Sequence, residues 1–373
     1  MSMDDQPLVS VLTPVYNGAA FLADCIESVL AQTYQNYEYI IVNNCSQDRT
    51  LEIAREYAVK DSRIKVHDNA EFLAVIDNHN HAFGLMSPEA RYCKMVSADD
   101  QIFPDCIARM VELAEANPLV GIVGCYQLSG DVIRWQGFRY PSFVMPGRDV
   151  CRRFLLGEQV VVNGKPIFGF GSPTSLLYRA DLVRSTKAFY PNPSPHSDTS
   201  ACFEQLQKSD FGFVYEVLSL EKTHAETQSS ASVEMNRYSS ARLNDLLQYG
   251  SSYLTKQEFD NHLKKELDGY HRFLGVNYVV GFRDKKFWDY HRGRLQELGH
   301  PLTRLELFKG VLIAALQGIS NPGPTIQKLG KHLSAHSSRA ATVHPNAVSS
   351  NSVKGAGNKA GVVGAGTTVP GTK

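Results

Sequence analysis

The stretch Tyr92-Cys93-Lys94-Met95-Val96-Ser97-Ala98-Asp99-Asp100 decides how the chain is read. An apolar run of strand type ends in adjacent carboxylates, which places anionic oxygens at the carboxyl edge of a sheet. In open α/β sheets that edge is where ligands bind. One or two carboxylates completed by substrate phosphates commonly hold Mg²⁺ or Mn²⁺, so the pair points to a metal–diphosphate site. Taken alone, Asp-Asp after a strand is also a turn or a helix N-cap. What precedes it gives it weight.

Upstream, strand and helix signals alternate. Residues 8–13 are a β-branched apolar run stopped by Pro14, and 19–33 place Phe21, Leu22, Cys25, Ile26, Val29 and Leu30 on one helical stripe. Tyr39-Ile-Ile-Val42 is a second buried strand, followed by a helix from about Asp48 with Ser46 or Asp48 as N-cap. Residues 63–66 make a short third strand, and 77–86 a helix leading into 92–96. Continuously apolar strands separated by helices predict a parallel sheet covered on both faces, a doubly wound α/β half-domain.

Downstream the pattern loosens. Ile107, Met110, Val111 and Leu113 mark a helix and 120–126 a strand, while 130–171 is rich in aromatics, Arg, Gly and Pro and reads as loops and short elements over a site. Strands are predicted at 174–178 and 211–220, and a helix at 199–207. Helical spacing then recurs over 238–250, 255–280 and 284–298. Residues 334–373 are Ser/Ala/Gly/Thr/Val-rich without an aromatic, and are expected to be a disordered tail. The expected domains are 1–225, a helical region 226–333, and the tail.

Lys+Arg and Asp+Glu both total 38, so no global charge draws the chain to nucleic acid. Seven scattered cysteines fit reduced thiols of a cytoplasmic protein better than a disulfide framework. The acidic start lacks a basic n-region and an apolar h-region, so no signal peptide is expected. No apolar stretch approaches the ~20 residues of a spanning helix. The apolar segment 305–316 reads as a packing helix, with peripheral contact at the inner face of the membrane as the alternative.

Two further segments sit at strand ends. Thr13-Pro-Val-Tyr-Asn17 reads either as a ligand-facing loop or as a plain turn. Asn43-Asn44-Cys45-Ser46 reads either as amides pairing with a pyrimidine edge or as an Asx-type turn. Together with Asp77-Asn-His-Asn-His-Ala82 and Val96-Ser-Ala-Asp-Asp100, these segments resemble the successive blocks of glycosyltransferase family 2. The resemblance is firm over about residues 7–125, weaker to about 225, and absent beyond. It implies the GT-A fold, a doubly wound mixed α/β sheet with helices on both faces, here with a C-terminal helical extension. The implied activity is metal-dependent inverting transfer of a sugar from a nucleotide-sugar donor, UDP-linked by expectation, to a glycan or lipid-linked acceptor in bacterial surface polysaccharide biosynthesis.

Carried over residue by residue, the resemblance places Thr13, Pro14 and Tyr16 in the nucleoside pocket. Asn43 and Asn44 stand where the family usually has an acidic pair, and Asn78 and Asn80 fall near the ribose and phosphates. Asp99 would hold Mg²⁺ or Mn²⁺ with Asp100 beside it, while Ser97 replaces the first acid of the Asp-x-Asp motif. Pro195-His-Ser-Asp-Thr-Ser200 resembles the family's acidic motif. That makes Asp198 the catalytic base, with a helix N-cap as its other reading and Glu204 as fallback. His224 is read either as facing the metal or as an ordinary strand-end histidine; His79 and His81 are read as packing residues. Arg134, Trp135, Arg139, Tyr140, Arg152 and Arg153 suit an anionic acceptor or a solvated surface. The rival from another class is a non-catalytic nucleotide-sugar-binding or scaffold protein with a degenerate site, motivated by Ser97, Asn43 and Asn44.

Overall fold

The structure is a computed structural model that describes residues 6–134, 141–158, 161–162, 165–166, 170–191, 196–222, 235–280 and 283–320. The chain divides into two units, Met1–Ala314 and Ala315–Lys373. Of the second, only the final turns of a helix are described, and the expected tail over 334–373 lies outside the described residues.

The alternation upstream of Asp100 forms as β1 (Val9–Val15), α1 (Leu22–Leu30), β2 (Tyr37–Asn43), α2 (Thr50–Lys60), β3 (Ile64–Asp68), α3 (Val75–Gly84) and β4 (Tyr92–Met95). β1 pairs in parallel with β2 and β4, and β2 in parallel with β3. Successive side chains leave a strand on opposite faces. Leu12, Ile40, Val42, Cys93 and Met95 enter the core of one face; Val11, Tyr39, Ile41, Tyr92 and Val96 enter that of the other. Both faces are covered, so these strands read as unbroken apolar runs. α1 buries Leu22, Cys25, Ile26 and Val29, one stripe at helical spacing. Each large side chain so buried contributes about 1.5–3 kcal/mol.

There follow β5 (Gln101–Ile102), α4 (Cys106–Ala116), β6 (Val120–Ser129), β7 (Val132–Arg134), β8 (Val144–Met145), α5 (Gly147–Leu155), β9 (Val161–Val162), β10 (Lys165–Pro166), β11 (Leu176–Arg179), α6 (Ala180–Arg184), α7 (Ser197–Gln205) and β12 (Asp210–Glu221). The main sheet runs β3-β2-β1-β4-β11-β6-β12-β5, with β7 on β6 and β8 on β12; β9 and β10 form a separate pair. β11 is antiparallel to both β4 and β6, while β6 and β12 are parallel. The sheet is therefore mixed, as the resemblance implied.

Two expectations shift. The stretch 130–171 contains α5, whose short apolar set Val150, Cys151 and Leu155 is buried but sits among arginines that hide it in the sequence. α7 begins at Ser197 rather than 199, so Asp198 lies in its first turn and His196 flanks it.

Beyond β12 the described residues form α8 (Arg237–Tyr253), α9 (Lys256–Val280), α10 (Lys285–Glu297) and α11 (Arg304–Ser320). Leu246, Tyr249 and Tyr253 of α8 join the sheet-side core, and Leu243, Tyr270, Leu274, Phe287 and Leu295 form a separate one. α9 and α11 touch backbone to backbone: a Cβ on Gly310 would lie 2.0 Å from the His271 carbonyl oxygen. Only glycine fits there. Among the described residues no helix is long and apolar enough to cross a membrane. Leu307 packs against the helical core, while Leu305, Phe308 and Leu312 are exposed.

Candidate active site

The loops after β1, β2 and β4 meet at the carboxyl edge of the sheet, and two of them hold non-glycine residues at positive φ, Asn17 at 50° and Cys45 at 56°. That backbone is uncommon outside glycine, and reciprocal bonds secure it. The Asn17 amide N–H donates to Ser46 Oγ at 2.9 Å, and the Gln47 N–H donates to Asn17 Oδ1 at 2.8 Å. Gly18 N–H reaches Thr50 Oγ1 at 2.8 Å and Ala19 N–H reaches Asp48 Oδ2 at 3.0 Å, so the start of α2 grips the loop after β1.

The expected nucleoside residues separate into an inner and an outer set. Thr13 and Pro14 are buried; the Thr13 hydroxyl lies 2.9 Å from the Val96 carbonyl and 3.0 Å from Tyr39 Oη, tying β1 to the end of β4. Pro14, which has no N–H, lies beyond the last β1–β4 pair at Leu12 and Met95. Tyr16 is exposed, and its ring meets that of Phe72, also exposed, edge to face at 5.0 Å. Phe72 is a candidate that sequence reading missed, since nothing in residues 69–75 marks it except one aromatic in a loop.

Behind these rings lies a layer of amides. Asn44 is buried with every polar group of its side chain engaged: Nδ2 donates to the Leu73 carbonyl at 2.9 Å, and Oδ1 accepts from Leu73 N–H at 2.9 Å and from Asn69 Nδ2 at 3.0 Å. Asn69 Nδ2 also lies 2.9 Å from Asn78 Oδ1. Asn43 Nδ2 donates to Asp68 Oδ1 at 2.7 Å, while Asn43 Oδ1 and Asn69 Oδ1 are buried without a hydrogen-bond partner among the described residues. Asn80 brackets the Tyr190 backbone, donating to its carbonyl at 3.0 Å and accepting its N–H at 2.9 Å. The structure thus joins Asn44 and Asn78 through Asn69 into one network that shapes the 69–73 loop, pairs the Asn43 side chain with Asp68 instead, and places Asn80 on a separate brace.

The carboxylates sit at the end of β4. Ser97 to Asp100 form a tight turn, with Asp100 N–H on the Ser97 carbonyl at 2.9 Å. Asp99 is half-buried and Asp100 buried. The Thr174 hydroxyl donates to Asp100 Oδ2 at 2.6 Å and lies 3.3 Å from Ser97 Oγ, and Ser97 N–H donates to Thr174 Oγ1 at 3.1 Å. Burial, the adjacent Asp99 charge and then Glu221 push the Asp100 carboxyl up to about 7.

Thr174 is itself held by a buried cation. Lys94 Nζ donates to the carbonyls of Thr174 and of Leu176, the latter at 3.0 Å, and Cys125 Sγ approaches the Ser175 carbonyl at 3.4 Å. The turn preceding β11 is thereby fixed against β4. Sequence reading took Lys94 as one member of an apolar strand and missed this link.

Asp198 belongs to a second cluster, at the start of α7. It is half-buried, Oδ1 accepts Thr199 N–H at 2.8 Å, and burial pushes its carboxyl up to about 6. Glu204, further along the helix, bonds Tyr249 Oη at 3.1 Å. Arg152 pairs with Glu258 of α9, which makes it a tie between helices. His81 meets His67 at 3.1 Å between Nε2 atoms, and the His79 ring lies 5.8 Å from that of Tyr190; both are packing positions. His224, Trp135, Arg139 and Tyr140 lie outside the described residues.

Residues 10–185 match the family described as Glycosyl transferase family 2. The putative teichuronic acid biosynthesis glycosyltransferase TuaG of Bacillus subtilis is 36% identical over 179 residues, 48% of this chain and 70% of that protein. The uncharacterized glycosyltransferase EpsJ of Bacillus subtilis is 39% identical over 128 residues, and an uncharacterized glycosyltransferase of Haemophilus influenzae 35% over 221. Those two matches cover 34% and 55% of this chain, and 36% and 62% of the relatives' own lengths. Among solved structures, TarS 1-349 of S. aureus in complex with UDP-GlcNAc superimposes with a TM-score of 0.56 at 16% identity, covering 78% of this chain and 80% of that one.

Proposed function

We propose, from the premise that the chain belongs to glycosyltransferase family 2, that it moves a sugar from a nucleotide-diphosphate donor to an acceptor hydroxyl with inversion at the anomeric carbon. One observation carries the reading: Asp99 and Asp100 crowd at the carboxyl edge of β4 while a separate, half-buried carboxylate, Asp198, lies in the first turn of α7. Inverting transfer needs two such groups, one near the departing phosphates and one near the attacking hydroxyl.

The residues present fit a divalent cation. Both donors are hard oxygens, and a carboxyl raised to about 7 by burial and by the adjacent Asp99 charge gains from a nearby positive charge. Among the described residues no group of three His, Cys, Asp or Glu is placed to hold a metal, so phosphate oxygens would have to complete the shell. Asp99, with Asp100 behind it, would hold Mg²⁺ or Mn²⁺, whose chemistry when bound is to neutralise diphosphate charge. The exposed rings of Tyr16 and Phe72 offer faces for the base. Asp198 takes the acceptor proton as the oxygen attacks, and the carbon–oxygen bonding pair leaves with the nucleoside diphosphate; no covalent enzyme intermediate forms.

UDP-sugars are the first donors to try, because TarS shares the fold and has been solved with UDP-GlcNAc. The likeness to TuaG, named for teichuronic acid biosynthesis, supports a glycan or lipid-linked acceptor in bacterial surface polysaccharide synthesis. We read 1–225 as the transferase domain and 226–333 as the helical extension, acting on the cytoplasmic side. Exposed Leu305, Phe308 and Leu312 support peripheral membrane contact.

Calorimetry of UDP, GDP and TDP with and without Mn²⁺, followed by UDP release from UDP-GlcNAc, tests the reading. Asp99→Ala should abolish release while leaving the circular-dichroism spectrum unchanged; near-normal release removes the metal assignment. Tight binding without turnover across a donor and acceptor panel would favour a degenerate binder.

A further inference from the structure

Asp198 has an organised neighbourhood supplied largely from outside the sheet. His196, directly ahead of α7, points Nδ1 at Asp245 Oδ2 across 2.7 Å, and Asp245 comes from the middle of α8. The other Asp245 oxygen accepts from Ser200 Oγ at 3.3 Å. The imidazole lies against the Tyr238 ring at 5.4 Å between centroids. Asp245 is 1% exposed, and a carboxylate at that depth is costly unless paired and hydrogen-bonded. Its two oxygens are matched to two residues of one helical turn, on either side of Asp198.

We propose that His196, clamped by Asp245, is a positioning residue for Asp198, so that the helical region completes the acceptor side of the site. The inference rests on the reading of Asp198 as the base. His196 and Asp245 are ionisable neighbours facing Asp198, together with Tyr178, Tyr190 and Cys202. Arg242 and Tyr249 face Asp245 in turn.

The charges act in opposite directions. Burial raises the Asp198 carboxyl, Asp245 adds to the rise, and an imidazolium at His196 opposes both. Without His196 the buried Asp245 carboxylate acts on Asp198 unopposed, and Asp198 keeps its proton to higher pH. It can then no longer take the acceptor proton at neutral pH. Without Asp245 the repulsion disappears and the imidazole stays. His196 itself neither gives nor receives a proton during transfer; the hydroxyl proton goes to Asp198.

The test is ¹³C carboxyl NMR of the full-length chain labelled at aspartate, with Asp198→Asn assigning the resonance. His196→Asn should raise the titration midpoint of Asp198, proton binding tightening at least about tenfold, whereas Asp245→Asn should lower it. A merely structural pair would lower stability in both variants and move the midpoint in neither. An unchanged midpoint in a folded His196→Asn or His196→Gln overturns the proposal. Should neither fold, Asp245→Asn decides, because a midpoint that does not fall there overturns it. UDP release from UDP-GlcNAc by Asp198→Asn is the separate control. Unimpaired release would remove Asp198 as base while leaving the electrostatic result standing.

Discussion

Thr174 and Asp100, 74 residues apart in the chain, are joined by a 2.6 Å hydrogen bond that anchors the turn before β11 to the carboxylates after β4. Thr174→Val removes the donor and leaves a buried carboxyl uncompensated, a loss of about 1–3 kcal/mol. The sign with pH follows from linkage. A folded carboxyl raised to about 7 holds a proton that the unfolded chain has released, so its contribution falls as pH rises from the ordinary carboxylate range toward 7. The variant raises that carboxyl further. Urea melts should therefore show a larger deficit at pH 8 than at pH 5, and an equal deficit at both would refute the argument.

Restoring the family's usual acid by Asn44→Asp should damage this protein. The Asn44 amide donates to the Leu73 carbonyl, and a carboxylate there would face that oxygen with no proton to offer. The expected cost is about 1–3 kcal/mol, with faster amide exchange over 69–73. A variant as stable as the parent would show that the loop does not depend on this amide.

Base recognition should be weakly selective. The Asn44 groups are engaged inside the fold, which leaves stacking on Tyr16 and Phe72, and stacking tolerates any base. Phe72→Ala should weaken UDP and GDP alike by about 1 kcal/mol, roughly fivefold. Calorimetry that finds the loss confined to one nucleotide would assign base reading to other groups.

Acid should loosen the helical region first. His291 is fully buried, its Nε2–H donates to the Met235 carbonyl at 3.0 Å and its Nδ1 accepts from Tyr270 Oη at 2.6 Å; burial, helped by the Arg283 charge and opposed by the Met235 bond, lowers its pKa to about 4. The unfolded chain binds the proton more readily, and stability falls as pH drops from about 6.5 to 4, by up to about 3 kcal/mol. His291→Asn should be less stable at pH 7 and lose less between pH 7 and 4.5. A parent whose stability drops no more than the variant's would show that His291 does not titrate in folding.

The repeating half of the fold was legible because its strands are buried on both faces and its helices carry one apolar stripe, as in Val9–Val15 and Leu22–Leu30. The carboxylates at 99 and 100 were equally plain, since local order alone puts them at a strand end. What stayed hidden depends on long-range partners. Thr174 looks like any threonine until Lys94 and Asp100 are seen beside it, and His196 gains meaning only through Asp245, 49 residues on. α5 escaped because a short apolar set among arginines resembles a polar loop. Asn44 reads the same whether its amide faces inward or outward, and only the fold distinguishes the two.

The reversed direction of β11 has a consequence for how such a chain can diversify. Because β11 runs against both β4 and β6, its entry point rather than its exit meets the end of β4. The excursion from β6 to β11 touches the sheet through β7 on β6 and β8 on β12, and it returns through the turn at Thr174, fastened by Lys94. An insertion, deletion or exchange in that excursion would leave the rim at 97–100 where it is. Novelty can accumulate on one side of such an enzyme without retuning the other.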